Sequence, residues 1–296
     1  MEGDKPSVSI IGTGALGSTL QHFFEENGYR IRSVWNSRGG KVYSNKSGQF
    51  KEKRATLPEK EGEAGDFVFI TTPDDLISKT ARDLAGKPIH WKEKVIIHCS
   101  GNLTSDELTS LSEEGAKIVS MHPIQSFKKG DGRDRFRDIT ISLQGDKAGK
   151  ELLKPIIGEM GANALMLNKK QKRYLHIAAV MASNYLVALM FSVENLLTDV
   201  DLEEGFESLQ PLVHQTVTNI FEKGPADALT GPISRGDTAS VQKHLKELKG
   251  AEQEVLYKIM GLEAAKIAER GSHIPQEKIN MLRNLFTHSL DQSEKI

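Results

Sequence analysis

At 296 residues the chain is long enough to bury a substantial core and to divide into two domains. Its 39 basic and 40 acidic residues nearly cancel, which removes the global basic field that nucleic acid or a membrane surface would exploit. Cys99 is the only cysteine, which excludes an intrachain disulfide and a thiolate metal cluster and fits a reducing, cytoplasmic compartment.

Residues 1–6 are polar and carry no apolar run of the signal-peptide kind. From residue 7 onward, short β-branched runs alternate with helical patterns, the arrangement that produces parallel strands joined by crossover helices. Strands are predicted over 7–11, 30–35, 66–71, 94–98, 117–121, 139–143 and 163–167, with helices over 15–27, 76–84, 105–114 and 149–160. The fold class is therefore α/β, a Rossmann-type, mostly parallel sheet over residues 1–168. From Lys169 the pattern becomes helical throughout, with helices predicted over 169–197, 203–223, 238–248, 251–268 and 275–285. Residues 169–296 are accordingly assigned to a helical domain for substrate binding or dimerisation. The most apolar stretch, from Leu175 to Phe191, is interrupted by His176, Ser183 and Asn184, so it reads as a buried helix and no membrane span is expected.

Gly12-Thr13-Gly14-Ala15-Leu16-Gly17 has the G-x-G-x-x-G spacing between an apolar strand and an amphipathic helix. In that context Gly12 permits a tight turn, Gly14 lets the backbone approach a pyrophosphate, and Gly17 allows helix to pack closely on strand. The helix start offers N–H groups and a positive dipole end to the phosphates. The second strand ends in Trp35-Asn36-Ser37-Arg38, where an NAD site would carry a carboxylate for the ribose 2′-OH. Arg38 suits a 2′-phosphate instead, with Asn36 and Ser37 as hydrogen-bond donors, which points to NADP(H). The other reading of Arg38 is a solvated loop residue ahead of Gly39-Gly40. Thr71, Thr72 and Pro73 in one loop, and Ser100 and Gly101 in another, follow later strands and should flank the cofactor. Asp74 and Asp75 read as caps of the next helix.

These residues resemble the superfamily of 6-phosphogluconate dehydrogenase, β-hydroxyacid dehydrogenases and ketopantoate reductase. Further blocks narrow the likeness: His98-Cys99-Ser100-Gly101, Met121-His122-Pro123-Ile124-Gln125-Ser126-Phe127, His176-Ile177-Ala178-Ala179 with Ser183-Asn184, and Leu229 to Asp237. Together they look like a bacterial family that joins a Rossmann-like domain to a helical C-terminal domain of unknown function. Its members carry the provisional name of NADP oxidoreductase. The resemblance implies the fold, the cofactor and a homodimer, and supplies no substrate. Leu186, Leu189 and Met190 read either as the dimer interface or as core.

Hydride transfer needs a substrate held against the nicotinamide and a group that exchanges a proton. At about 100° per residue, Lys172, His176 and Ser183 fall within about 40° on the long helix, with Asn184 about 80° from His176. His176 reads as a general acid or as a satisfied core histidine; Lys172 as a catalytic cation or, beside Lys169, Lys170 and Arg173, as part of a solvated face. The β-hydroxyacid dehydrogenases place Lys and Asn one turn apart, and here His176 stands where Asn would. His122 should sit at the carboxyl edge of the sheet, its direction fixed by Pro123. Asn184 is a candidate substrate contact or a buried interhelical hydrogen bond. Arg235 is a candidate clamp for a substrate carboxylate, or a partner of Asp237, with Asp237 or Thr238 capping the next helix. No metal site is expected.

The reading is an NADP(H)-dependent oxidoreductase that transfers a hydride to a small carbonyl or imine substrate such as a keto acid. The alternatives are a non-catalytic nucleotide-binding regulatory or scaffold protein, and an NADP reductase paired with a deazaflavin or flavin.

Overall fold

The computed structural model describes residues 5–44, 49–53, 55–271 and 274–287. The chain forms two compact units, Met1–Ser183 and Asn184–Ile296. The first unit contains, in chain order, β1 (Val8–Ile11), α1 (Ala15–Glu26), β2 (Ile31–Asn36), β3 (Gly39–Ser44), β4 (Gln49–Lys53), β5 (Phe67–Ile70), α2 (Asp74–Ala85), β6 (Val95–His98), α3 (Thr109–Glu113), β7 (Lys117–Pro123), β8 (Thr140–Gly145), α4 (Lys147–Glu159) and β9 (Asn163–Met166). The long helix α5 (Lys169–Thr198) follows, and its first half belongs to this unit.

One sheet runs in the order β4-β3-β2-β1-β5-β6-β7-β8-β9. β1 pairs in parallel with both β2 and β5, so the chain reverses its direction of progress across the sheet there, and the crevice outside those strand ends is where open α/β sheets take ligands. Apolar side chains cover both faces. Leu20, Phe23 and Phe24 of α1 and Leu153, Ile156 and Ile157 of α4 pack on one side, while Ile77, Ala81 and Leu84 of α2 and Leu111 of α3 pack on the other. The central strands are buried throughout, as expected where helices shield both faces.

All seven predicted strands are present, and two more extend the sheet. Gly39-Gly40, read from the sequence as a loop, begins β3, which returns antiparallel along β2 and continues through β4. The indole of Trp35 explains the glycine: a Cβ on Gly40, its cross-strand partner, would stand 1.9 Å from the ring. A glycine that signals a turn locally is here shielded by an aromatic ring across the ladder. The predicted helix over 105–114 is a 3-10 turn at Ser105–Leu108 followed by the short α3.

The second unit holds the rest of α5, then α6 (Gly205–Ser208), α7 (Gln210–Lys223), α8 (Pro225–Ala228), α9 (Thr238–Glu247), α10 (Gln253–Arg270) and α11 (Gln276–Thr287). The helix predicted over 203–223 breaks between α6 and α7, where Pro211 occupies the first turn of α7 and has no N–H to donate back to the Glu207 carbonyl of α6. Val241, Leu282 and Phe286 form the buried centre of this unit.

The apolar stretch of α5 is not the buried helix that its composition predicts. Lys172 is its buried residue, and Tyr174, Ile177, Met181, Tyr185 and Phe191 are exposed. An 18-residue window of α5 has a hydropathy of 1.6, long and apolar enough to cross a membrane by length and composition, and none of it is buried. An uncharged run states that a helix needs an apolar neighbour; it does not state that the same chain provides it.

Candidate functional site

The carboxyl ends of β1, β2, β5, β6 and β7 carry the site residues. At β1, Gly12 adopts φ +109°, and a Cβ there would meet the Thr71 carbonyl at 2.7 Å. A Cβ on Gly17 would stand 2.1 Å from the Gly12 oxygen, whereas Gly14 faces open space. The three glycines thus have the three geometries that the motif requires: a turn, an open approach, and a close helix-to-strand contact. The loops are stitched together, with Gly12 N–H donating to Trp35 O at 2.7 Å and the Thr71 hydroxyl to Gly12 O at 2.8 Å. The first turn of α1, from Ala15 through Leu16 to Gly17, has no side-chain cap.

A cleft of about 590 Å³ is lined by Gly12, Gly14, Asn36, Ser37, Thr72 and Pro73, together with Leu57, Leu76 and Lys79. The Thr72 hydroxyl is buried with no hydrogen-bond partner among the described residues. A neighbouring cavity of about 460 Å³ is lined by Thr13, Asn36, Arg38 and Lys41. Asn36 joins the two, since its carboxamide oxygen accepts from Arg38 N–H at 2.8 Å and its NH₂ reaches Thr13 Oγ1 at 3.4 Å. Lys41, Lys79 and Leu57 were not singled out from sequence. Lys41 lies on the unforeseen β3, and Lys79 is one charge on an amphipathic helix with no local motif.

Beyond the β6 end the chain makes a tightly bonded turn. His98 is fully buried; its Nδ1 accepts from Ser100 N–H at 3.2 Å, which leaves Nε2–H to donate to Thr104 O at 2.9 Å. Burial holds this imidazole down to about 4. The Ser100 hydroxyl donates to Asp74 at 2.8 Å and accepts from the N–H groups of Asn102 and Leu103. Asp74 is therefore bound to the neighbouring loop, and neither it nor Asp75 caps α2, whose N-cap, Pro73, makes no side-chain bond.

Lys172 corrects the expectation of a solvated face. It is 2% exposed, and its Nζ donates to Ser100 O at 2.8 Å. Burial lowers its ammonium from 10.5 to about 8, with Cys99 and Asp74 acting in the opposite direction. Cys99 itself is pushed up to about 12 by burial and stays a thiol. One helical turn along α5, the His176 ring lies 5.9 Å from that of His122, edge to face, and its Nδ1 is buried without a partner among the described residues. His122 is lowered to about 4, by burial first and then by Lys172 and His176. Gly101 separates the rings from the turn: a Cβ there would stand 2.5 Å from His176 Nδ1 and 2.9 Å from both Cε1 and Nε2 of His122. The fold thus gathers Lys172, His122, His176, Ser100 and Gly101 at the edge that also carries the glycine-rich loop.

Asn184 and Arg235 lie in the second unit, both exposed, Arg235 in a 3-10 turn at Ile233–Arg235. Asp237 caps α9 as expected, accepting from Ser240 N–H at 3.0 Å. Sequence reading gave no role to His98 or to the Asp74–Ser100 bond; a polar residue closing the apolar strand Val95–His98 was the available signal for His98.

Comparison with known proteins supports the fold. Residues 139–264 match DUF2520, a domain of unknown function. The DUF2520 segment runs from just before β8 into α10 and carries Lys172, His176, Asn184 and Arg235, whereas His122 precedes it. The provisionally named NADP oxidoreductase BF3122 from Bacteroides fragilis shares the fold with a TM-score of 0.67 at 20% identity, over 90% of this chain and 99% of that one. Protein TM1727 from Thermotoga maritima has the same TM-score at 26% identity, over 89% of this chain and 98% of its own. A reductive aminase from Aspergillus terreus, solved with NADPH and ethyl-5-oxohexanoate, has a TM-score of 0.54 at 16% identity, over 97% of this chain and 94% of that one. No curated protein sequence matches the chain. The resemblance read from the sequence, a Rossmann-like sheet followed by a helical C-terminal region, therefore holds, and the matched segment takes in the last strands of the sheet.

Proposed function

We propose that the chain is an NADP(H)-dependent oxidoreductase that transfers a hydride to a small carbonyl or imine compound such as a keto acid. The observation that carries this reading is Lys172, a buried lysine with its midpoint near 8, beside two histidines at the strand edge that bears the glycine-rich loop. The residues fit a dinucleotide. Gly14 leaves open space for a pyrophosphate, the start of α1 is uncapped, and Thr72 presents a buried hydroxyl in need of a partner. The reductive aminase solved with NADPH shares this fold and supports the same reading.

Bound there, the nicotinamide would supply the hydride. The first turn of α1 would hold the phosphates with N–H groups and the helix dipole. Arg38 would pair with the 2′-phosphate, and Asn36 and Ser37 would donate to it. Lys172 would give its proton to the carbonyl oxygen or imine nitrogen of the substrate. Below a midpoint of about 8 the ammonium form prevails, so the proton is in place at neutral pH. His122 is uncharged above about 4 and orients the reacting group through a ring N–H, with His176 facing it. The donor role read from sequence for either histidine passes in this scheme to Lys172.

Titration with NADPH and NADH, alongside Arg38→Ala, tests the cofactor. NADPH should bind more tightly than NADH, and the variant should lose most of that preference. Keto acids and imines should then drive oxidation of bound NADPH. Failure of both nucleotides to bind at about millimolar concentration, roughly −4 kcal/mol, defeats the proposal.

We also propose that a second copy of the chain covers the exposed apolar face of α5. Ser183 and Asn184 in mid-helix suit a protein neighbour better than hydrocarbon. α7 offers further exposed apolar side chains at Leu212 and Phe221. Sedimentation should give a dimer, and a monomer that stays single at high concentration would overturn the assignment.

A further inference from the structure

The Ser100 hydroxyl has one proton and two lone pairs, and all are committed: the proton to Asp74, the lone pairs to the N–H groups of Asn102 and Leu103. The carbonyl of the same residue accepts from Lys172. Asp74 directly follows Pro73, which lines the cleft beside the glycine-rich loop. A continuous set of hydrogen bonds therefore runs from the loop after β5, through one serine, to the buried ammonium. His98 braces the serine from beneath by accepting its N–H.

We propose that Asp74 is a positioning residue: through the Ser100 hydroxyl it holds the turn whose carbonyl fixes Lys172, so that the nucleotide-facing loop and the proton-bearing lysine act as one unit. The charge arrangement favours this role. The titratable groups around Lys172 are Asp74 at the start of α2, His98 and Cys99 beyond β6, His122 on β7 and His176 one turn along α5. Cys99 stays a thiol and the imidazoles of His98 and His122 are neutral at pH 7, which leaves the Asp74 carboxylate as the anion of this group. It supports the ammonium that burial disfavours. A ligand that shifts the loop after β5 then shifts both the turn and the lysine.

The proposal rests on Lys172 as the proton donor, and its test needs neither cofactor nor substrate. The full chain is labelled with ¹³Cε-lysine, and the Lys172 resonance, identified by its absence from Lys172→Met, is followed against pH. Asp74→Asn keeps an acceptor for the serine and removes the charge. It should lower the Lys172 midpoint by about half a pH unit, the effect of a nearby but partly solvated carboxylate. Asp74→Glu should restore it, and the exposed Lys170 on the same helix should not move. Ser100→Ala keeps the charge and removes the tether, and should lower the midpoint while speeding amide exchange at Asn102 and Leu103. An unchanged midpoint in Asp74→Asn overturns the proposal, as does an equal shift at Lys170. If Asp74→Asn does not fold, an unchanged midpoint in Ser100→Ala does the same. NADPH titration of the same samples reads the cofactor assignment separately, so either can fail alone.

Discussion

Replacing Lys172 with Met should leave the protein folded and nearly as stable as the parent at pH 7. The ammonium is lowered from 10.5 to about 8, and 2.5 pH units correspond to a burial cost of about 3 kcal/mol for the charged form. Methionine fills similar space without that cost, but it strands the Ser100 carbonyl, a loss of about 1–3 kcal/mol. The two nearly cancel, so Lys172→Met should match the parent within about 1–2 kcal/mol at pH 7. The pH dependence separates them. Between the folded and unfolded midpoints the unfolded chain binds more protons, so the parent gains stability as pH rises through that window. About 2 kcal/mol should be recovered between pH 7 and pH 9.5, and the variant should lack that component. Urea denaturation at both pH values measures it. A parent-to-variant difference that stays flat across the window would refute the burial argument, and substrate-driven NADPH oxidation that survives in Lys172→Met would refute its role as the proton donor.

Gly101→Ala should disturb the site. Its Cβ would overlap His176 Nδ1 and the edge of His122, so one ring must turn away, at about 1–3 kcal/mol. Calorimetry should show a lower Tm, and an unaltered Tm together with unaltered turnover would remove Gly101 from the site. Acid should destabilise the protein through His98, whose neutral ring is fixed at both nitrogens. With the folded midpoint near 4 and the unfolded one near 6.5, about 3 kcal/mol should be lost as pH falls through that interval. His98→Gln should lose less between pH 7 and pH 4.5 in urea titrations; equal slopes would contradict the assignment.

The sheet and its glycine-rich loop were legible in the sequence because their causes are local. Apolar runs of strand length, helical periodicity and glycines at required φ or at close contacts are written within about ten residues of one another. The seven predicted strands are accordingly present, and Gly12, Gly14 and Gly17 have three distinct geometries for three distinct reasons. Non-local causes were invisible. Gly40 lies in a strand because Trp35 shields it across a ladder, and Lys172 is buried because Ser100, seventy-two positions earlier, accepts from it. The same holds for Asp74, which reads as a cap until the loop after β6 is brought against it. Sequence also fixed the apolar character of α5 and misjudged its burial, since hydropathy states a demand for a neighbour and only tertiary structure decides whether the chain meets it alone. Composition and spacing therefore determined the fold class and the glycine-rich turn at the end of β1. Packing decided which charge is buried and which imidazoles stay neutral, because desolvation and hydrogen bonding depend on distances that the order of residues does not contain.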